Sequence, residues 1–451
     1  MKKMLLCAGM LIACVAAQGQ TWTSLFNGKD LTGWHQATGQ GVYTVKNHAI
    51  TGTTYTLGGG NSFLVTDAKY SDFILEFEFR MQDGAWNSGF QFRSHVSEST
   101  GHVCGYQFEI DHSPIRRFTG GLYEEGDDAQ WFYKLSFNEE ARNAVKKGKW
   151  NKARIECVGT HIRSFVNGIE CADLFVDVEK EGFFGLQVHQ VHDESTFGKA
   201  VQWRKIRICT EDIEKYLTPE NTSVHQVNWI PNTLSERQKA DGWQLLFDGK
   251  TFDGWRCISF KDGSKGRWVV SDGALQVNKP GEDNRKAASD LITEDNYENF
   301  WLSVDFKIGT GANSGIKYFI KPGYYGAAAS SVGCEYQVLD DVNHPDAKAG
   351  RDGNRTVASL YDIIPSDKSN MWFNLGQWNT AWIIVRGAHV EHWLNGTKVV
   401  EYDRDSDEFR ELVKLSKFNG FEGFGTHEQG HILLQDHNDH AQFRNIMIKK
   451  L

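Results

Sequence analysis

The residues best suited to chemistry come in two sets. In "CEYQVLD" Glu335 and Gln337 stand two residues apart, and in "GYQFEID" Gln107, Glu109 and Asp111 alternate in the same way. Positions two apart on an extended strand share a face, so each set presents a carboxylate beside a carboxamide. A Gln-x-His pair recurs in each half: Gln187 and His189 in "GLQVH", Gln435 and His437 in "LLQDH". Glu, Gln and His gathered from two strands could supply a base, a carbonyl-polarising donor and a proton shuttle. Two carboxylates flanking one bond would instead suit glycoside hydrolysis, and Glu109 with Asp111 keeps that arrangement open. Neighbours on one strand approach a substrate from one side, which favours proton abstraction over attack from opposite faces.

Such residues need sheets to hold them. "FILEFEFR" sets Leu75, Phe77 and Phe79 against Glu76, Glu78 and Arg80, and "SGFQFR" sets Phe90 and Phe92 against Gln91 and Arg93. Tyr106, Phe108 and Ile110 oppose Gln107, Glu109 and Asp111. Each run reads as an antiparallel strand with one apolar face. Helical periodicity is nearly absent and glycine-rich turns recur. Two sheets packed face to face bury such strands, which predicts an all-β chain of sandwich type, most simply a jelly roll. The polar faces carry Gln, Glu, Asp, His and Arg rather than Lys, Thr and Ser. The second half repeats the choice with Asp305, Lys317, Glu335, Gln337, Gln435 and His437. Side chains that donate and accept in fixed geometry suit sugar hydroxyls.

The halves are copies. "LFNGKDLTGWH" from Leu25 returns as "LFDGKTFDGWR" from Leu246, and seven further segments follow in the same order, among them "NSGFQF" with "NSGIKY", "GGLYE" with "ASLYD" and "VQWRKIRI" with "AQFRNIMI". This is a tandem domain repeat, not a short-period solenoid. Residues 21–210 form the first domain and 242–451 the second. The linker, 211–241, has no counterpart, and "TLSERQKA", with Thr233 three before Glu236, predicts a short helix there. Trp34 and Trp255, in the duplicated opening phrase, are expected in the core.

Residues 1–20 read as a secretory signal: Lys2 and Lys3, an apolar run, then small residues, too short to span a bilayer. Export to the periplasm or cell envelope is expected, with cleavage after Ala17 or lipidation at Cys14. Of the six remaining cysteines none forms a CxxC, which argues against a zinc knuckle. Cys157 and Cys171 lie on consecutive strand-like runs that a disulfide could join. The net charge of −9 makes nucleic acid a poor partner, whereas a neutral carbohydrate is indifferent to it. No cofactor is predicted and no metal ligands are assigned. "HQVHD" and "QDHNDH" leave a catalytic divalent metal or a structural calcium open.

The ordered set "LFNGKDLTGWH", "NSGFQF", "GYQFEID", "GGLYE", "LQVH" and "WRKIRI" resembles the 3-keto-disaccharide hydrolase domain family, and both copies match. The resemblance implies a concanavalin A-like jelly roll and action on glycosides already oxidised at C3, with a separate oxidoreductase supplying the ketone. A C3 ketone acidifies the C2 proton; a base removes it, the enolate expels the C1 substituent and water adds to the enone. Glu335 and Gln337 fit the family's G-x-E-[YF]-Q strand. In the first copy Gln107 and Glu109 exchange those types, so the same substrate is not implied for both domains. His189 and His437 match its Gln-x-His strand, Arg204 and Arg444 its closing strand, and Arg93 the arginine after "NSG", where the second copy has Phe319. On this reading either Glu335 or His437 is the base and the other the proton donor, Lys317 or Arg444 steadies the enolate, and Gln337 and Gln435 orient hydroxyls. Glu109, His189 and Arg93 take these tasks in the first domain. Gln107, Asp111, Gln187, Gln91, Arg204, Asp305, Tyr361 and Tyr123 complete the expected substrate contacts. The insertion from Asp341 to Gly376 is expected to fold over the second domain's groove, which favours that domain as the more active one.

Overall fold

The alternating strands pair into two sandwiches in the computed structural model, which describes residues 22–451 apart from Gly84, Trp86, Asp128 and 279–287. The signal segment and Cys14 therefore lie outside the described residues.

In the first domain a nine-stranded sheet is centred on Asn151–Val158, Phe73–Met81 and Val201–Cys209. It faces a seven-stranded sheet in which Leu122–Glu125, Val103–Asp111, Asn87–Val96, Phe183–Val188 and Ser62–Thr66 follow one another in space. In the second domain an eight-stranded sheet centred on Ala441–Lys450 and Phe300–Ile308 faces a five-stranded one. That smaller sheet runs Trp255–Cys257, Leu291–Thr293, His431–Leu434, Asn313–Ile320 and Cys334–Leu339. The apolar faces meet between the sheets. Phe77 of the larger sheet stacks on Phe90 of the smaller one with ring centroids 4.2 Å apart, and Phe306 meets Tyr336 edge-on at 6.4 Å. Burying each such ring contributes about 1.5–3 kcal/mol.

The outer face of the first domain's larger sheet carries ion pairs. Glu76 binds Arg154 and Arg207, and Glu78 binds Arg204 and Lys205, across neighbouring strands. Trp34 and Trp255 are buried, as expected, and each indole N–H donates to a carbonyl of its own opening phrase, Leu25 or Leu246.

The linker is built into the fold. Gln226–Asn228 adds a parallel strand to the first domain beside Ile169–Phe175. The short helix forms at Glu236–Ala240, but its cap is Ser235 and not Thr233. Ser235 Oγ accepts from Gln238 N–H while the Gln238 side chain accepts from Ser235 N–H, closing a reciprocal box two residues later than the sequence pattern indicated. His225 stacks on Trp301 at 4.9 Å, Phe137 packs on Trp382 at 5.6 Å, and Lys134 Nζ donates to Thr397 Oγ1 at 3.3 Å, so the two domains share an aromatic seam.

Cys157 and Cys171 are both buried free thiols, so the disulfide that their strands could have allowed is not formed. The other described cysteines are free as well. Among the described residues no helix is long and apolar enough to cross a membrane.

Candidate functional sites

Each smaller sheet carries a polar cavity on the face turned away from the core. In the second domain it has a volume of about 320 Å³ and is lined by Asn313, Lys317, Glu335, Gln337, Tyr361, Lys417, Gln435 and His437, with Phe418 and Phe421 at one side. Strand register explains the grouping. Lys317 lies opposite Glu335, and Gly315 opposite Gln337, on adjacent antiparallel strands. Gly315 is required: a Cβ there would stand 2.2 Å from Glu335 Oε1. The repeated "NSG" is thus a space for the neighbouring strand's side chain, and Gly89 does the same for Gln107, whose Cδ would lie 2.2 Å from an added Cβ.

Glu335 is buried, and Lys317 Nζ approaches its Oε2 to 3.5 Å. Burial pushes the Glu335 carboxyl above its usual range, while Lys317 and Lys417 pull the other way. Burial also lowers the Lys417 ammonium, opposed by Glu335. Lys417 Nζ sits 4.1 Å over the Tyr361 ring, and Tyr361 Oη donates to Asp346 Oδ2 at 2.8 Å. His437 lies at the rim with its side chain 46% exposed.

The first domain's cavity, about 290 Å³, is lined by Asn61, Asn87, Gln107, Glu109, Arg116, Tyr123, Glu125, Trp131, Gln187 and His189, together with Trp372 from the second domain. Gln91 lies opposite Gln107 and Gly89 opposite Glu109, so the exchange of Glu and Gln between copies is real in register. The carboxylate is displaced by two residues along its strand, about 7 Å. The Lys317–Glu335 ion pair is replaced by an amide pair, Gln91 Nε2 donating to Gln107 Oε1 at 2.7 Å. Glu109 accepts from Gln107 Nε2 (2.9 Å) and Asn87 Nδ2 (2.8 Å). Burial, reinforced by the Asp111 and Glu125 carboxylates, pushes Glu109 up to about 8, against the opposing pull of Gln107 and Arg116. Glu125, bonded to Asn61 and Gln187, is raised by burial too. Burial lowers His189, which shares a 2.8 Å hydrogen bond with the Gln190 carbonyl.

Among the described residues, Gln187 Oε1 and Gln435 Oε1, at matching places in the two cavities, are buried acceptors without a hydrogen-bond partner. Leaving such an atom unpaired costs about 1–3 kcal/mol, which a ligand hydroxyl would recover.

Several expected contacts stand elsewhere. A bulge between Phe92 and His95, with φ of 44° at Arg93, breaks the alternation and turns that guanidinium away from the cavity. Arg93 instead donates to the Ser71 and Gly159 carbonyls and to Asp72. In the second domain Arg404, packed over Phe319, donates to the matching Gly387 carbonyl, so the same structural cation comes from the turn after Thr397–Asp403. Arg204, Arg444 and Asp305 belong to the larger sheets, which do not carry the cavities. Arg204 stacks on Trp150 and pairs with Glu78, while Arg444 stacks on Trp378 beside Asp305. Asp111 accepts from Ser113 N–H and Phe118 N–H, holding the loop that carries Arg116, and Gln91 lies behind Gln107. Lys417, Arg116, Glu125 and Trp372 were missed; "GGLYEE" offered a signal for Glu125, two residues beyond Tyr123 on the same strand face. The insertion expected to cover the second cavity does so only through Tyr361, since its Trp372 reaches the first.

For a metal, His344, His437 and Asp439 bring three ligand atoms within 4.8 Å of one another at the rim of the second cavity. A second such group, His389, Glu391 and Glu401, lies on the outer strands of the larger sheet.

The profile of the 3-keto-alpha-glucoside-1,2-lyase-like domain matches residues 21–209 and again 242–449. A 3-keto-disaccharide hydrolase from Bacteroides thetaiotaomicron is 38% identical over 238 residues, spanning 47% of this chain and 79% of that protein. Of solved structures, a Parabacteroides distasonis protein assigned as a glycosyl hydrolase is 31% identical over 49% of this chain and 99% of its own, with a TM-score of 0.44. The carbohydrate-binding module CBM66 from Bacillus subtilis is 18% identical over 40% of this chain and 96% of its own, with a TM-score of 0.30. With two ordered matches that leave out little more than the linker and the leading segment, the chain belongs to the 3-keto-alpha-glucoside-1,2-lyase-like domain family, in two tandem copies.

Proposed function

We propose that this chain is an exported enzyme that cleaves 3-keto-glycosides by elimination and hydration. One observation carries the reading: a buried carboxylate, Glu335, faces a solvent-open polar cavity with Lys317 at 3.5 Å and Lys417 on the same wall. Glu335 takes the C2 proton, and its raised affinity for protons suits a base that must accept one from carbon. The C2–H electron pair becomes C2=C3, placing negative charge on O3, which the lysines stabilise. As C3=O re-forms, the pair shifts to C1=C2 and expels the C1 substituent. His437, at the open rim, gives that leaving oxygen its proton. Water then adds across C1=C2, its oxygen to C1 and a proton to C2, giving the 3-keto sugar. Gln435 Oε1 and Gln337 hold substrate hydroxyls. In the first domain Glu109, His189 and Arg116 take the corresponding places; Glu109, pushed up to about 8, acts as base through its ionised fraction, which grows as the pH rises through that value. The substrate must come from an oxidoreductase that makes the C3 ketone.

A proton NMR time course in D2O tests this, using matched glucosides with and without the ketone. Aglycone release from the keto compound alone, with deuterium entering C2, is expected. Glu335→Gln combined with Glu109→Gln should abolish release while keeping affinity within about tenfold. Binding of both compounds without release from either refutes the enzyme and leaves a two-site sugar-binding protein.

A further inference from the structure

The first domain's cavity is completed by a residue that its own domain does not supply. Trp372 lines it alongside Glu109, Tyr123 and Trp131, yet belongs to the second domain's insertion. Its backbone is fixed there. The Trp372 carbonyl accepts from Asn395 Nδ2 at 2.8 Å, and Asn395 also donates to buried Asn379. The next residue, Phe373, stacks on Phe306 with centroids 6.2 Å apart and planes 20° apart, and Met371 packs on the same core. The indole itself is held by none of this. It is 42% exposed, and among the described residues it has no hydrogen-bond, ring or cation partner. The other aromatic wall is different: Trp131 is edge-packed between Phe118 and Tyr123, at 5.3 and 5.2 Å.

An indole on a rigid backbone at the edge of a cavity otherwise rich in Gln, Glu, Asn and Arg has the chemistry of a stacking platform. Its flat apolar surface matches a ring face made of C–H groups, while the polar residues take hydroxyls. The aromatic seam between the domains keeps the platform in register with Glu109. Among the described residues, the second cavity receives no such residue from the first domain. Its apolar side, Phe418 and Phe421, is its own.

We propose that Trp372 forms a composite subsite with the first domain, stacking on the ring attached to the sugar that Glu109 and His189 engage. The first site then prefers ligands with a second ring, either a pyranose or an aryl group, over a methyl glycoside. The identity of the reacting sugar rests on the function proposed above; the stacking itself does not.

The test uses the full chain labelled with 5-fluorotryptophan, the Trp372 resonance being assigned as the one absent from Trp372→Phe. Titration with a glucosyl disaccharide, an aryl glucoside and methyl glucoside, each with and without the C3 ketone, is followed by 19F NMR. The Trp372 resonance should move with the two-ring ligands and stay fixed with methyl glucoside. The disaccharide and aryl arms separate a pyranose from an aromatic occupant. Trp372→Ala should weaken two-ring binding to the first site about tenfold, equivalent to about 1.4 kcal/mol. Trp372→Phe should recover most of it, and methyl glucoside affinity should not change. A resonance unmoved at saturation, or an alanine variant that weakens one-ring and two-ring ligands equally, overturns the subsite. If the resonance moves but no keto compound is cleaved, the proposed chemistry falls and the subsite stands.

Discussion

Replacing Glu109 by Gln should stabilise the protein increasingly as the pH rises. The Glu109 carboxyl is buried and pushed up to about 8 from an ordinary value of 4.5. Folding therefore takes up a proton between those two values. The contribution of that proton to stability is fully present below about pH 4.5 and is lost as the pH climbs through about 8. Each unit of displacement is about 1.4 kcal/mol, so the wild type can lose on the order of 4–5 kcal/mol over the window, as a ceiling. The substituted amide has nothing to titrate there; its oxygen can accept from Gln107 Nε2, and its NH2 can donate to Asn87 Oδ1 once the Asn87 amide turns over. For a domain of this size about 1 kcal/mol moves Tm by roughly 2–4 °C, so the variant should gain on the order of 10 °C between pH 5 and 9. Thermal melts at half-unit pH intervals, followed by near-ultraviolet circular dichroism, read this directly. The diagnostic quantity is the difference between the two proteins at each pH, because other groups titrate equally in both. Parallel Tm curves would refute the reasoning: Glu109 would then ionise alike in the folded and unfolded chains, and the first site would not hold an acid at neutral pH.

Two further outcomes are expected. Gly315→Ala places a Cβ 2.2 Å from Glu335 Oε1, so the flexible carboxylate must swing away. With Glu109→Gln present to silence the first site, turnover should fall at least about tenfold, equivalent to about 1.4 kcal/mol, with the far-ultraviolet spectrum unchanged. Unchanged kinetics would mean that the position of Glu335 does not matter. If the His344, His437 and Asp439 group holds a divalent cation, dialysis against EDTA should lower second-site activity, zinc or manganese should restore it, and His344→Ala should make the protein insensitive to both. Full activity after exhaustive chelation, with no metal detected by mass spectrometry, would show that His437 works without one.

The fold was largely legible in the sequence because a buried sheet face imposes a period of two on the residues that form it. The runs around Phe77, Phe90 and Phe108 state their own inward faces, and the repeated phrases fix two domains. The same period placed Glu335 beside Gln337 and showed the exchange at Gln107 and Glu109, since side chains two apart on a strand share a face whatever the surrounding structure. The linker helix was legible too, although Ser235 capped it where Thr233 was expected.

What the sequence could not decide was which polar faces share a cavity. Alternation distinguishes inside from outside but says nothing of which of two sheets a strand joins, so Arg204, Arg444 and Asp305 looked equivalent to residues that line the sites. A single bulge at Arg93 reversed the direction of one side chain, and nothing in "FQFRS" announces it. Lys417 lies on a segment without a counterpart in the first copy, and Trp372 stands where the first copy has Ala144, whose carbonyl Asn167 holds as Asn395 holds that of Trp372; what each side chain reaches follows from long-range packing. For Trp372 that packing crosses a domain boundary, because the Phe373–Phe306 stack fixes the backbone in one domain and the aromatic seam aligns it with the other. Sequence by itself determined the strands, the duplication and the paired carboxylate and carboxamide. Tertiary structure alone assembled the cations and the aromatic platform around them, since contacts between distant segments depend on sheet order and domain docking, which leave no local period in the chain.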